Sequence, residues 1–481
     1  MKATELRHLL EAALPEAAHA EQSDLQLGHM YLPAGHIKAV ALSRPVVVGD
    51  RGSGKSFWLK SLVDDTRRQL IGKTFQQEEL LSCEVKTGFS PDVDGDYPTP
   101  KDLARLVQDG LSPDAIWYAV MVHLIVPESL PGNLVFWKDR ISWIQEQSET
   151  VTAKLRAKNA ELHAKKQCIL IAFDGLDRLS PSWRDTVALV RGLLQTQLEF
   201  GRYSQLRTKA FIRPDMLASP EVRQFPDASK LLSLAVKLEW EAIDLYGLLW
   251  QYLANSSIPS QSAAFRKFAD KVAKLSWDEG SNGVFVLTQA VRHDENRQEQ
   301  LFHQIAGENL GRGKKSGNTW TWLPKHLSDA HGYTSPRSFL VALRFAAVDS
   351  NKRKFAGKEF ALHTSSLKSG VSEASKVRRH ELEENFPWIG DVLKPLKGLG
   401  LPARKQDVVI KWKKAETLSS LLAHHEPVPL PEAIKETDPA SILAALEQLG
   451  LCRLLSDGRI DFPDIVRVDA GMTRKGGIPV R

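Results

Sequence analysis

Residues 45–63 have the sequence PVVVGDRGSGKSFWLKSLV, and this stretch decides the fold that the rest of the chain is expected to adopt. Three consecutive valines at 46–48 predict a short buried strand. A glycine-rich turn with the pattern G-x-x-x-x-G-K-S follows at once, and apolar residues with helical spacing resume at Phe57. An ordinary glycine-rich turn is the alternative interpretation. Strand, turn and helix in this order predict a nucleoside triphosphate site.

Each residue type in this turn suits the binding of phosphate. Glycines at 49, 52 and 54 allow successive backbone N–H groups to converge on one point. The N-terminus of the following helix adds unpaired N–H groups and a positive dipole end. Lys55 is expected to reach the β- and γ-phosphates, and the Ser56 hydroxyl is expected to bind Mg²⁺. The residues predicted to bind the nucleotide are Gly49, Asp50, Arg51, Gly52, Ser53, Gly54, Lys55, Ser56 and Phe57.

The second informative stretch is CILIAFDGLDRL, residues 168–179. Its continuous apolar run predicts a parallel strand that is buried on both faces. Asp174 at the end of that run is expected to hold Mg²⁺, directly or through water. Asp177 is expected to orient an attacking water. The alternative is a buried strand followed by an aspartate that caps the helix beginning near Pro181.

Two arginines are candidates for contact with the γ-phosphate. A third strand is predicted at 209–213, and the carboxyl ends of strands line the ligand crevice of open α/β sheets, which makes Arg213 a candidate sensor. A surface arginine before Pro214 is the alternative. Arg337 lies in the first turn of a helix predicted over 334–348, where a cation opposes the helix dipole and therefore requires an anionic partner. It either reaches the phosphate from a lid or packs on a neighbouring domain.

Length and composition limit the class of protein. A chain of 481 residues can form about two to four domains, and its hydrophobic (42%) and charged (25%) fractions are those of soluble globular proteins. The sequence has neither an apolar run long enough to span a membrane nor a signal peptide at its start. Three scattered cysteines fit a reducing compartment. We therefore expect a cytoplasmic protein without membrane contact. A net charge of +6 is compatible with nucleic acid but does not argue for it.

The predicted fold class is α/β, with a P-loop core around a parallel sheet, a helical lid and a C-terminal winged-helix-like region. Helical periodicity dominates from about residue 260 to 350, where the alternation of strands and helices stops. The predicted domains are an N-terminal helix and linker (1–44), the ATPase core (45–258), the lid (259–350) and a basic, winged-helix-like region (351–481).

Three further segments carry predictions that the structure can test. Residues 66–110 are polar and rich in turns, and 231–238 is predicted to be a fourth strand. The stretch 351–380 is rich in Lys and Arg, which indicates either a solvated face or a nucleic-acid surface. A helix from Pro439, ended by Gly450 and followed by a turn at Asp457-Gly458, is typical of a winged helix.

The phosphate loop followed by the aspartate strand resembles the additional-strand P-loop ATPases, the broad AAA+ and STAND group. FDGLDRL at 173–179 is similar to the Asp-Gly-Leu-Asp signature of NACHT-type ATPases, and its Asp-Arg ending is similar to the KAP type. The resemblance covers roughly residues 40–350 and implies ATP and Mg²⁺ bound between core and lid. Arg178 stands where a NACHT module has Glu, and Gly175 stands where a typical AAA+ protein has its catalytic Glu. These departures leave Asp177 as the acidic candidate for activating water and argue against fast hydrolysis.

The resemblance implies an ATP-driven molecular switch or assembly ATPase, and by analogy alone a sensor or regulatory subunit of a bacterial antiviral defence system. A separate effector protein is expected, because no nuclease, protease or deaminase pattern is visible. The alternative is a nucleic-acid-associated AAA+ ATPase of the replication-initiator or transposition-regulator type. A pseudo-ATPase that holds ATP as a structural ligand is a third possibility.

Assembly into a homo-oligomer is also expected. ATPases of this group complete their site with an arginine from the adjacent subunit, which stabilises charge on the γ-phosphate. The helix and loop before the third strand are predicted to present Arg202 and Arg207 at such an edge. Solvated loop arginines are the alternative.

Overall fold

The computed structural model describes residues 1–16, 26–91, 95–280, 283–311, 317–353, 360–423, 430, 434, 437–475, 477 and 478. The chain forms two compact units. One comprises residues 34–239, and the other comprises residues 1–33 together with 240–481.

The helices are numbered in chain order. Their bounds are α1 Ala3–Ala13, α2 Ile37–Val40, α3 Lys55–Val63, α4 Asp65–Thr74, α5 Glu78–Leu81, α6 Pro100–Gln108, α7 Pro113–Ile125, α8 Trp137–Glu146, α9 Ser148–Ala164, α10 Trp183–Phe200, α11 Pro214–Ala218, α12 Pro220–Arg223, α13 Ala228–Leu232, α14 Ala242–Ala254, α15 Pro259–Ala273, α16 Gln289–Arg292, α17 Glu295–Ala306, α18 Thr319–Leu327, α19 Pro336–Lys352, α20 Thr364–Asn385, α21 Trp388–Leu393, α22 Lys405–Lys414, α23 Thr417–Ala423, α24 Ser441–Gln448 and α25 Asp464–Arg467.

The strands are numbered in the same way. Their bounds are β1 Val46–Val48, β2 Cys83–Phe89, β3 Cys168–Phe173, β4 Leu206–Ile212, β5 Val236–Lys237, β6 Trp277–Glu279, β7 Phe285–Leu287, β8 Gly400–Leu401, β9 Ala403–Arg404, β10 Arg453–Leu454, β11 Arg459–Asp461 and β12 Thr473–Arg474.

A parallel sheet with the strand order β2-β3-β4-β1-β5 forms the centre of the unit 34–239. Every residue of β1 and β3 is buried, because these strands are covered on both faces, which explains their uninterrupted apolar sequences. Strand β4 lies between them, and Ala210 is paired with Val46 on one side and with Phe173 on the other. This additional strand is the arrangement that the resemblance implies. Since the strands are parallel, the carboxyl ends of β1, β3 and β4 lie at one edge.

Two segments of this unit differ from the prediction. Residues 66–110 were expected to be polar and turn-rich, but they contain the edge strand β2 as well as helices from α4 to α6. The strand escapes the sequence pattern because it lies at the edge of the sheet and exposes Glu84 and part of Lys86. The predicted strand at 231–238 is helix α13 followed by the two-residue strand β5.

The second unit has one continuous hydrophobic core, built by α1 and by helices from α14 through α25. Helix α14 packs against α1, α17 and α19, so residues 242–254, predicted to belong to the core domain, lie in this unit. The predicted boundaries at 44, 258 and 350 therefore do not coincide with the division into compact units. Residues 17–25 of the predicted linker lie outside the described residues.

The C-terminal end of this unit contains the predicted helix and hairpin. Helix α24 ends before Gly450, whose φ of +68° is the left-handed conformation that glycine accepts. Strands β10 and β11 follow, joined by a turn at Asp457-Gly458, and β9 pairs with β11 on the other side. The α/β fold class with a parallel sheet and a winged-helix-like C-terminal region is confirmed.

Among the helices in the described ranges, none is both long and apolar enough to cross a lipid bilayer.

Candidate nucleotide site

The turn after β1 has the backbone conformation that a phosphate loop needs. Gly52 (φ +77°) and Gly54 (φ +105°) are left-handed, and Gly54 precedes the first residue of α3. The N–H of Gly49 donates to Ile212 O at 3.0 Å, which joins the start of the turn to the end of β4. A Cβ atom at position 49 would lie 2.4 Å from Ser53 Oγ. Gly52 and Gly54 are therefore required by conformation, and a side chain at position 49 would displace the Ser53 hydroxyl.

Lys55 lies across this turn. Its Nζ donates to Gly49 O at 2.8 Å and to Asp50 O at 2.9 Å. Burial lowers the pKa of Lys55, while the carboxylates of Asp174 and Asp177 act in the opposite direction. The amine is thus held inside the loop and beside two carboxylates. Of the other predicted nucleotide contacts, Arg51 and Phe57 are half-buried, and Phe57 lies edge-on to its neighbour Trp58.

Asp174 lies directly beside Ser56. The Ser56 hydroxyl donates to Asp174 Oδ2 at 2.5 Å, and the N–H of Asp174 donates to Phe89 O at 2.9 Å. The carboxylate is 2% exposed, and burial raises its pKa, while the Lys55 cation lowers it. The predicted juxtaposition of the phosphate loop and the aspartate strand is present.

These two side chains suit Mg²⁺. A hydroxyl and a carboxylate are hard oxygen donors, and Mg²⁺ commonly binds one or two protein groups while keeping waters and phosphate oxygens. Within the described ranges, no group of three or more His, Cys, Asp or Glu side chains could hold a metal ion by itself. The donor set therefore fits a metal that arrives with a nucleotide.

Gly175 explains why the chain has no glutamate after Asp174. Its φ is +66°, and a Cβ atom there would lie 2.3 Å from Pro91 Cδ. A side chain at position 175 would be strained by the backbone and would collide with Pro91. The departure from the AAA+ pattern is therefore built into the turn after β3.

Asp177 and Arg213 form an ion pair. Arg213 Nη1 donates to Asp177 Oδ2 at 3.2 Å, and its Nε and Nη2 donate to the two oxygens of Asp215 at 3.0 and 2.9 Å. Burial raises the pKa of Asp177, but the Arg213 and Lys55 cations outweigh it and hold that pKa below its ordinary value. Burial lowers the pKa of Arg213, but Asp215 and Asp177 outweigh it and raise that pKa. The two predicted residues, Asp177 and Arg213, are therefore in contact. Asp215, the third member of this cluster, was not predicted.

His36 supports the phosphate-loop helix and was also not singled out. Its side chain is fully buried and lies edge-on to Trp58 of α3. Trp58 Nε1 donates to His36 Nδ1 at 3.2 Å, and His36 Nε2 lies 3.0 Å from Glu239 O. Burial lowers the pKa of His36 to about 4, so the ring is neutral and its Nε2 donates to that carbonyl. The sequence offered one signal for it, the segment LPAGH at 32–36, whose Pro and Gly indicate irregular backbone.

Lys209 is a second buried group that the sequence pattern did not reveal. It is 0% exposed in β4, and its Nζ donates to Ala41 O and Arg44 O, the carbonyls of the turn before β1. A lysine inside a strand that has neighbours on both sides must find buried partners, which was the available signal.

Two of the remaining candidate arginines, Arg337 and Arg202, pair with carboxylates. Arg337 donates to Glu381 Oε1 at 2.6 Å, and that carboxylate is buried. Arg202 is exposed and pairs with Glu199. Arg207 was predicted in a loop, but it lies within β4 between β3 and β1, so that placement is wrong. The γ-phosphate role of Arg337 and the role of Arg202 in a neighbouring subunit stay predictions.

Comparison with known proteins gives distant structural likenesses. No family model matches the chain, and no curated protein matches it. The ORC2 protein of Aeropyrum pernix, solved as ADPNP–ADP complexes, is 14% identical, with 94% of each chain covered and a TM-score of 0.32. The Pyrobaculum aerophilum CDC6P protein is 10% identical over 94% of each chain, with a TM-score of 0.31. The Aeropyrum pernix ORC1 protein in complex with DNA is 14% identical over 95% of this chain and 88% of that chain, with a TM-score of 0.31.

Proposed function

We propose that the unit formed by residues 34–239 binds ATP with Mg²⁺ and hydrolyses it slowly, so that the protein works as a nucleotide-driven switch. The observation that carries the proposal is the close approach of Ser56 to Asp174 beside the amine of Lys55. A structural turn has no need for a cation, a hydroxyl and a buried carboxylate at one point.

The side chains divide the work as follows. Lys55 leaves the loop carbonyls and binds the β- and γ-phosphates. Ser56 and Asp174 hold Mg²⁺, which when bound neutralises charge on the phosphate oxygens. Asp177 orients the attacking water, and Arg213 contacts the γ-phosphate. Arg213 occupies Asp177 until it moves to the γ-phosphate, which agrees with slow hydrolysis.

The test is nucleotide affinity in Lys55→Ala. Loss of a charged hydrogen-bond donor to phosphate should weaken ATP binding about tenfold or more. Lys60→Ala is the matched control, because Lys60 is a half-buried lysine of the same helix α3. ATP affinity that is equal in the two variants would show that the loop is not the site. Phosphate release by wild type, absent from Asp174→Ala, separates an ATPase from a protein that only holds ATP.

A nucleic-acid surface is the second candidate function, and one feature of the C-terminal sheet favours it. Arg404 of β9 and Arg459 of β11 are register partners, and both are exposed. Like charges directly opposite each other on a sheet are destabilising. Asp457 balances part of this charge through an ion pair with Arg459 at 2.6 Å. A phosphate backbone would complete the neutralisation.

The stretch 351–380 supports this second function less than its sequence suggests. Three of its described basic residues on α20 have carboxylate partners in the same helix. The pairs are Lys376 with Glu373, Arg378 with Glu381, and Arg379 with Glu383. Residues 354–359 lie outside the described residues. The solvated-face interpretation is therefore favoured for this stretch.

Salt-dependent binding of a DNA or RNA duplex tests the second function. The double variant Arg404→Ala/Arg459→Ala should weaken binding and reduce the slope of log affinity against log salt by about one for each phosphate that these arginines neutralise. Lys376→Ala is the control, since its charge is already paired on the same unit. Wild type that does not bind at low salt would exclude this function.

Assembly and partners stay predictions of this proposal. We propose a homo-oligomer strengthened by ATP, in which exposed Arg202 acts on the neighbouring site, and a separate effector protein. A defence role rests on the resemblance alone. Light scattering with and without ATP measures the oligomeric state and tests this proposal.

A further inference from the structure

Asp215 holds the candidate sensor arginine in a fixed orientation. Its carboxylate accepts two parallel hydrogen bonds from Arg213, from Nε at 3.0 Å and from Nη2 at 2.9 Å. The two side chains are 16% and 12% exposed, so solvent screens the pair little. Fork-to-fork pairs of this kind are strong and fix the plane of the guanidinium. The guanidinium of Arg213 therefore has a fixed orientation.

The fork leaves one edge of the guanidinium for other partners. With Nε and Nη2 on Asp215, the Nη1 group donates to Asp177 Oδ2 at 3.2 Å. Asp177 lies in a short 3₁₀ turn, Leu176–Arg178, after β3, whereas Arg213 follows the neighbouring strand β4. Three side chains thus connect the ends of two adjacent strands, at the sheet edge where Asp174 meets Ser56.

We infer that Asp215 is a positioning residue, which aims Arg213 so that its Nη1 group exchanges between Asp177 and the γ-phosphate of bound ATP. The inference rests on the proposed function. Without a γ-phosphate, Arg213 stays on Asp177 and occupies the carboxylate oxygen that would hold the attacking water. When the γ-phosphate takes over Nη1, Asp177 is released to that water. The fork to Asp215 remains in both states, so only the Nη1 group of Arg213 changes its hydrogen-bond partner.

This arrangement makes two quantities depend on Asp215. The first is the preference for ATP over ADP, because ADP offers no phosphate to Nη1. The second is the rate of hydrolysis, because Asp177 is released only by that exchange. The affinity for ADP does not depend on Asp215, since the phosphate loop and Lys55 make those contacts.

The experiment compares ATP and ADP affinities, together with kcat and KM for ATP, in full-length wild type, Asp215→Asn and Asp227→Asn. Asp227 is the matched control. It is an exposed aspartate of the same unit, its φ of +62° also suits asparagine, and its ion pair with Lys230 lies in solvent. Asp215→Asn should lower kcat by about tenfold to a hundredfold and remove the preference for ATP, with ADP affinity unchanged.

Two further variants keep the test decisive. Asp215→Glu retains a carboxylate and should restore part of the kcat and part of the preference. Arg213→Lys keeps the charge but cannot form the fork, so it should reproduce the effects of Asp215→Asn, and it replaces that variant if Asp215→Asn does not fold.

The outcomes separate this inference from the function beneath it. Wild type that binds neither nucleotide overturns both. Wild type that hydrolyses ATP, with an Asp215→Asn variant of equal kcat and equal preference, overturns only the positioning role. Tighter ATP binding in Asp215→Asn would show that Asp215 competes with phosphate, and equal loss of ATP and ADP binding would show a structural role. Both results also overturn the inference.

Discussion

Replacing Lys209 by methionine should remove most of the dependence on pH of the stability of the unit 34–239 near neutral pH. The amine is fully buried in β4 and donates to Ala41 O at 3.0 Å and to Arg44 O at 2.6 Å. Burial, together with the nearby Arg44 cation, lowers the pKa of Lys209 from its ordinary 10.5 to about 7. The folded and unfolded chains therefore bind different numbers of protons between these values.

The sign and size of the effect follow from proton linkage. Between pH 7 and 10.5 the unfolded chain carries a proton that the folded chain lacks, so the free energy of unfolding rises with pH. Below about pH 7 both states are protonated, and the free-energy cost of burying the charged amine is constant. These two pKa values give a gain of about 2 kcal/mol from pH 7 to 8.5. Lys209→Met also loses two hydrogen bonds to buried carbonyls, at about 1–3 kcal/mol each. That loss does not depend on pH, so the variant is less stable at pH 8.5 but has a flat profile.

The chain provides its own reporters for the measurement. Cys83 and Cys168 are buried in this unit, and Cys452 is buried in the other. Pulsed thiol labelling along a urea gradient, read by peptide mass spectrometry, gives the unfolding midpoint of each unit at each pH. Lys154→Met, at an exposed lysine of α9, is the control for loss of a charge.

The result that contradicts the reasoning is a shared slope. If the midpoint reported by Cys83 and Cys168 rises from pH 7 to 8.5 as much in Lys209→Met as in wild type, another group titrates and Lys209 keeps an ordinary pKa. A flat profile in the Lys154→Met control would show that general charge effects cause the slope.

Three other predictions can be checked with the same proteins. Gly49→Ala should weaken ATP binding about tenfold, because its Cβ would displace the Ser53 hydroxyl and lie 3.2 Å from Lys55 Cγ, whereas Gly35→Ala, with open space around it, should bind as wild type. Lowering the pH from 7 to 5 should destabilise the unit 34–239 by about 2 kcal/mol, because His36 has a pKa of about 4 in the folded protein and the unfolded chain takes up the proton first. His36→Gln should lose this dependence of stability on pH in the labelling assay. Arg337→Met should destabilise the other unit by about 2 kcal/mol, read at Cys452, because it removes one of the two arginines that pair with the buried Glu381, and adding Glu381→Gln should recover part of the loss. An ATP-affinity loss that persists in the double variant would instead support a phosphate contact.

The parts of the site that sequence predicted are those carried by contiguous residues. The glycines, Lys55 and Ser56 lie within one turn, and their conformation follows from local backbone preference. Asp174 was predictable because β3, buried on both faces, is apolar throughout, so the first polar residue after it marks its carboxyl end. Strand β2 shows the limit of that rule: at the edge of a sheet it carries charged residues and looks like a loop.

The parts that sequence missed are polar contacts between distant or partly exposed segments. The bond from Trp58 to His36 joins α3 to a segment before β1, and neither residue carries a motif. Lys209 sits in a sequence that is otherwise a strand pattern, and its partners are backbone carbonyls, which leave no trace in side-chain identity. Asp215 is two residues from Arg213, yet acidic residues after Arg-Pro are also common first-turn helix residues. Only the three-dimensional structure distinguishes a first-turn carboxylate from one that pairs with the arginine.

Gly175 and Asp215 together suggest how a switch of this kind sets its rate. The left-handed turn at Gly175, closed by Pro91, excludes the glutamate with which typical AAA+ proteins activate water. In the proposed function that task passes to Asp177, whose carboxylate already accepts a hydrogen bond from Arg213. Hydrolysis then requires Arg213 to exchange Asp177 for the γ-phosphate. The two hydrogen bonds from Arg213 to Asp215 control how readily this exchange occurs. A site of this design holds ATP longer than one with a dedicated base, and a long-lived ATP state is what a molecular switch requires.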